Sequence, residues 1–169
     1  MAAVAAAALP AAALAESTPD QTNKQNAAQQ CKQLRAGLDR AQFASMLTTT
    51  LGVTGVNHNG RNAYGKCVSH FARADARQEA KAKSSAVADC RAEGKTKRDF
   101  GKCVSARSEQ EKADADRSDM ARAKTLSSAA RRCRRPGALD AYGTKRSAFG
   151  KCVAATAKQI KAERTQTAS

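Results

Sequence analysis

The sequence predicts an all-α protein: three disulfide-stapled αα-hairpins that share four helices. Three observations predict it. The pentapeptide Tyr64-Gly65-Lys66-Cys67-Val68 recurs as Phe100-Gly101-Lys102-Cys103-Val104 and as Phe149-Gly150-Lys151-Cys152-Val153. An Ala-rich turn ending in cysteine precedes each copy, at Ala27 to Cys31, Ala86 to Cys90 and Ala129 to Cys133. Between these signatures run long stretches of Ala, Lys, Arg, Gln and Glu without proline or glycine, the composition of a helix.

The chain opens with an uncharged Ala, Leu and Val segment, residues 1–15, closing on Ala13-Leu14-Ala15 ahead of Glu16. It reads as a secretory leader with a small-residue cleavage site, although no basic residue precedes it and Pro10 interrupts it. A retained Ala-rich helix is the competing reading. No stretch reaches the about 20 apolar residues of a transmembrane span. All 30 Lys and Arg and all 15 Asp and Glu lie beyond Ala15, so the net charge of +15 survives loss of the leader. Residues 16–26 are expected to be a flexible lead-in.

The first hairpin spans 27–71, the second 86–106 and the third 127–164, followed by a flexible tail, 165–169. Six cysteines allow 15 pairings. The repeat selects Cys31 with Cys67, Cys90 with Cys103, and Cys133 with Cys152. Helix geometry supports that selection: Val68 to Glu93 contains no proline or glycine, so Cys67 and Cys90 bound one helix and stand ~34 Å apart at 1.5 Å per residue. A disulfide spans only about 7 Å between Cα atoms. Ser105 to Arg135 separates Cys103 from Cys133 in the same way.

The helices are expected near Ala27 to Leu47, Cys67 to Glu93, Lys102 to Arg135 and Lys151 to Arg164. Gly94 and Pro136-Gly137 supply stops, and Asn62, Asp99 and Ser147 supply N-caps. Tyr64, Phe100 and Phe149 are expected to fold back on the alanines of the preceding helix, with the following glycine letting the backbones approach. The first unit carries an inserted, glycine-rich and flexible loop, Leu51 to Arg61. Phe43, Leu47, Leu139 and Tyr142 are the extra core candidates.

Core material is scarce. The hydrophobic fraction of 41% is mostly alanine, with 2 Tyr, 4 Phe and no Trp. From Ala72 to Ala86 and from Ser105 to Asp119 there is no Leu, Ile, Met, Phe or Val, so these stretches are expected to be solvated on most faces. Both a loose up-down bundle and an open zigzag of hairpins satisfy the pattern, and the missing mid-helix stripes favour the zigzag.

The chemistry of the residues is that of a cationic surface. There is no Cys-x-x-Cys, and His58 and His70 lack ligand-like spacing, so the cysteines read as structural and no metal or cofactor is implied. No hydrolase or phosphate-loop signature occurs. Lys66, Lys102 and Lys151 recur at helix starts, where the macrodipole disfavours cations, and are candidate anion contacts; shielding of the disulfide is the plainer reading. Arg131, Arg132, Arg134 and Arg135 form the densest basic cluster, a polyanion contact or a solvated helix end.

The Ala-rich turn with Cys133, Tyr142-Gly143-Thr144 and Ser147-Ala148-Phe149-Gly150-Lys151-Cys152-Val153 resembles a repeat of uncharacterised small secreted proteins of high-GC Gram-positive bacteria. The likeness covers the three units; the second lacks the Tyr-Gly-Thr element. It implies export and paired cysteines and supplies no activity. The expectation is a non-catalytic, secreted or extracytoplasmic protein that meets an anionic cell-envelope polymer. A nucleic-acid binder is the alternative, and a secreted enzyme with no recognisable site the third.

Overall fold

The computed structural model describes residues 19–167; the expected leader, 1–15, lies outside them. Five α-helices and one short 3-10 turn make up the described chain: α1 (Pro19–Arg35), α2 (Arg40–Thr50), α3 (Ala63–Ala92), α4 (Lys97–Cys133), the turn Asp140–Tyr142, and α5 (Ala148–Thr167).

All three predicted disulfides are present, Cys31–Cys67, Cys90–Cys103 and Cys133–Cys152, with Cα atoms 6.0 to 6.1 Å apart. They join α1 to α3, α3 to α4 and α4 to α5, so successive long helices run antiparallel. The first and third staples lie at one end of the assembly, where α2 and the loop after it also sit. The second lies at the other end.

The expected first helix, Ala27 to Leu47, is two. The chain breaks at Ala36–Leu38 around Gly37 at φ 76°, and α2 restarts under a capping box in which Asp39 Oδ1 accepts from Gln42 N at 2.8 Å. Short polar side chains at such a position satisfy backbone donors that a continuing helix would leave to the chain, so the break is stable. Where a flexible lead-in was expected over 16–26, the chain is helical from Pro19, a residue whose fixed φ suits a first helical position. At the other end α5 runs to Thr167, into the expected tail.

Other boundaries follow the expected signals with local changes. Gly94 at φ 66° closes α3: Gly94 N donates to Arg91 O and Lys95 N to Cys90 O, which satisfies the last carbonyls of the helix. Thr96, not Asp99, precedes α4, and Asp99 sits inside its first turn, where its charge favours the dipole. Asn62 precedes α3 but makes no capping bond; its Nδ2 donates to Gly55 O and its Oδ1 accepts from Asn57 N. Those bonds, with Val53 N donating to Leu47 O and a 5% exposed Val53, tie down the loop expected to be flexible.

The core gathers at the α2 end, from Leu34, Phe43, Met46, Leu47, Val53, Phe71, Leu126, Phe149, Val153 and Ile160, together with four of the stapled cysteines. Leu139 and Tyr142 pack on its edge, half-buried. Gly150 does what the repeat predicts of its glycine, but against α2 and not the preceding helix: a Cβ there would stand 2.6 Å from Ser45 O. A Cβ at Gly65 or Gly101 would meet nothing within 4 Å, so of the three repeated glycines only Gly150 is needed for a close approach.

The architecture lies between the two forms the sequence left open. Near the start of α1, Asn23 Nδ2 donates to Glu79 Oε2 of α3 at 3.2 Å, and the helix begins about one turn further on, at Pro19. Near the end of α5, Arg164 Nη1 donates to Thr125 Oγ1 of α4, and the space between the two helices extends to Ser118. Beyond these points α3 and α4 continue together as a two-helix arm. Within it, no residue of α4 from Lys97 to Arg122 is fully buried. Charge pairs line the arm: Arg107 bridges Asp89, at 3.1 Å, and Glu93, and Lys112 reaches Glu79 at 3.8 Å. One helix pair without a third partner is what a stretch lacking large apolar residues can sustain, and the Cys90–Cys103 bond closes its tip.

Candidate functional site

α3 winds Lys66, His70, Arg73 and Arg77 onto one face, at i, i+4, i+7 and i+11. The adjoining face carries Ala63, Cys67, Phe71 and Asp75 into the interior. The cationic stripe is therefore the solvent side of a helix whose apolar side is committed to the core. The ordered loop brings Gly52, Val53, Thr54 and Arg61 against it. Together they enclose a cleft of about 650 Å³ whose other walls are Asn62, Gly65, Ser69 and Ala74.

Four cations and one histidine converge there, and among the described residues no carboxylate lines the cleft. None of Arg61, Lys66, Arg73 or Arg77 is in an ion pair among the described residues, although Arg107, Lys112 and Arg132 elsewhere are. Burial, and then the charges of Arg122 and Arg77, hold His70 below the ordinary imidazole range. Imidazole is thus neutral at neutral pH, with a ring nitrogen free to donate, while the guanidinium groups supply the charge. Unpaired guanidinium and ammonium groups around a concave surface can bind anions.

The seven cations singled out in the sequence do not form one site. Lys66 lines the cleft, and Gly55 stands close beneath it, where an added Cβ would be 3.2 Å from Nζ. Lys102 is exposed on the arm near the second staple, and Lys151 is exposed in the first turn of α5. Arg131 and Arg132 fall in the last turn of α4 and Arg134 caps it, where cations complement the dipole. Arg132 also pairs with Glu163 at 3.7 Å. Arg135 continues this exposed helix end. Arg61, Arg73 and Arg77 carry no repeat signature; the 3.6-residue period of α3 and the folded loop bring them together with Lys66.

Among the described residues no group of three His, Cys, Asp or Glu is placed to hold a metal ion, and no helix is long and apolar enough to cross a membrane. No protein-family model, curated protein or solved structure matches this chain.

Proposed function

We propose that this protein is a non-catalytic, extracytoplasmic binding protein that holds an anionic polymer of the cell envelope in the cleft between α3 and the 51–62 loop. The observation that carries the reading is the convergence of Arg61, Lys66, Arg73 and Arg77 on one concave surface without a neutralising carboxylate. Like charges held together raise their own electrostatic energy, and an arriving polyanion relieves it. Disulfides form and persist in oxidising compartments, which supports a site of action outside the cytosol. The leader read in the sequence supports it further.

Retention of the purified protein on an anionic wall polymer, measured at rising salt, tests the reading. Each phosphate neutralised should steepen the log–log salt dependence by roughly 0.7 to 0.9. Arg73→Ala combined with Arg77→Ala should lower the affinity at least about tenfold and flatten that slope, with helical content unchanged because both side chains face water. Retention that ignores salt, or survives the double substitution intact, would exclude the cleft.

A further inference from the structure

A second basic cleft, of about 470 Å³, lies between α4 and α5. Leu126, Ala121 and Ala157 form its apolar lining; Arg122, Lys158, Lys161 and Arg164 surround it, and among the described residues no carboxylate does. Arg164 is held in place by Nη1 donating to Thr125 Oγ1 at 3.1 Å. The nearby Glu163 is engaged by Arg132.

Arg122, which lines this cleft, is placed by the packing of α3 against α4. Gln78 Nε2 donates to Asp119 Oδ2 at 3.0 Å, which fixes the register of α3 against α4. Three residues on from Asp119, Arg122 comes level with the turn of α3 that holds Arg73 and Ala74, one helical turn from His70. Ala123, beside it, is 2% exposed and points into the core, so Arg122 occupies the neighbouring face, in the groove between α3 and α5. Its charge reaches His70, a wall of the first cleft, while its side chain lines the second.

Five of the eight cations along this groove are arginines, whose planar forks match phosphate oxygens two at a time. Neither cleft is lined by Phe or Tyr among the described residues, which leaves the His70 imidazole of the first cleft as the one ring a nucleobase could stack on and none along the second. The path from Lys66 along α3 and across α4 to α5 is roughly 30 Å, from the helical rise and two interhelical spacings.

We infer that the two clefts are one continuous site for a linear, base-free phosphate polymer, which lies along the α3 stripe, crosses Arg122 and ends on Lys158, Lys161 and Arg164. The inference rests on the reading of the first cleft as a polyanion site and adds the ligand's backbone chemistry and the second half of its track.

Calorimetric titration of the intact, oxidised protein with tripolyphosphate and with long-chain inorganic polyphosphate separates the two claims. The long chain should bind at least about tenfold more tightly per chain and with a steeper salt slope, because it neutralises more cations. Lys158→Glu with Lys161→Glu should abolish that advantage and leave tripolyphosphate binding within about twofold, and Arg122→Gln should do the same in part. Lys97→Glu with Lys102→Glu makes the same charge change on the arm and should cost no more than about twofold. An equal loss in the arm variant would mean that bulk charge, not a track, binds the chain. Long-chain binding indifferent to Lys158, Lys161 and Arg122 would overturn the continuous site and leave the first cleft standing. Indifference of both ligands to Arg73→Ala with Arg77→Ala would remove the first cleft as well. A single-stranded oligonucleotide of matched charge that binds as tightly as polyphosphate would overturn the base-free assignment.

Discussion

Asp75 sits on the buried face of α3, 3% exposed, and neither of its carboxyl oxygens has a hydrogen-bond partner among the described residues. Burial, followed by repulsion from Asp116 and Asp119 across α4, pushes its pKa up to about 6 from 3.8, with Lys112 opposing. The native state thus holds this proton over a range where the unfolded chain has released it, so stability falls as pH rises from about 4 to about 6. At 1.36 kcal/mol per unit the ionised group costs about 3 kcal/mol at neutral pH. Asp75→Asn should raise the melting temperature at pH 7 and change little at pH 4; the same shift at both pH values would rule out the titration. Gly150 invites the opposite substitution. A Cβ there meets Ser45 O and the Thr49 side chain at 2.6 Å, so Gly150→Ala should destabilise by about 1 to 3 kcal/mol, whereas Gly101→Ala, in open space within a helix, should stabilise by about 0.5 to 1 kcal/mol in chemical denaturation. The repeat makes these glycines look equivalent; only the partner helix distinguishes them.

At the scale of elements, the arm and the α2 end depend differently on their cross-links. The α2 end has Phe43, Met46, Leu47 and Phe149 beside Cys31–Cys67 and Cys133–Cys152, so apolar burial supplements the staples there. The arm has alanine, charge pairs and Cys90–Cys103. On the chain-entropy model a closed loop of 13 residues contributes about 3 kcal/mol and one of 36 about 4. Replacing Cys90 and Cys103 by serine should therefore raise amide exchange selectively over residues 84–115, with the α2 end still protected; uniform loss of protection would show that the arm is not a separate cooperative unit. α3 and α4 were legible in the sequence because long runs without proline or glycine leave little but helix. The break between α1 and α2 was legible in principle, in Gly37 followed by Asp39 and Gln42, but the alanines and Leu47 around it continue a helical pattern and conceal it. Where the core lies depends on α2 returning to α5, a contact between residues about a hundred positions apart that local pattern does not encode.

For the whole molecule, a net charge of +15 on 169 residues is a general self-repulsion, and the fold distributes it unevenly. The arm neutralises much of its own charge through Arg107, Lys112 and Arg117 and their carboxylate partners, while the two basic clefts are lined by no carboxylate among the described residues. Under the proposed binding role, that asymmetry, not the total, gives an anion a preferred place to land, and composition alone could not reveal it.

α4 carries one cysteine of the second staple near its start and one of the third at its end, Cys103 and Cys133, with neither glycine nor proline between them. Thirty residues of helix hold those two anchor points ~45 Å apart. The same rod that begins at the hairpin tip therefore also sets where the second basic cleft begins: Arg122 stands ~28 Å along it from Cys103.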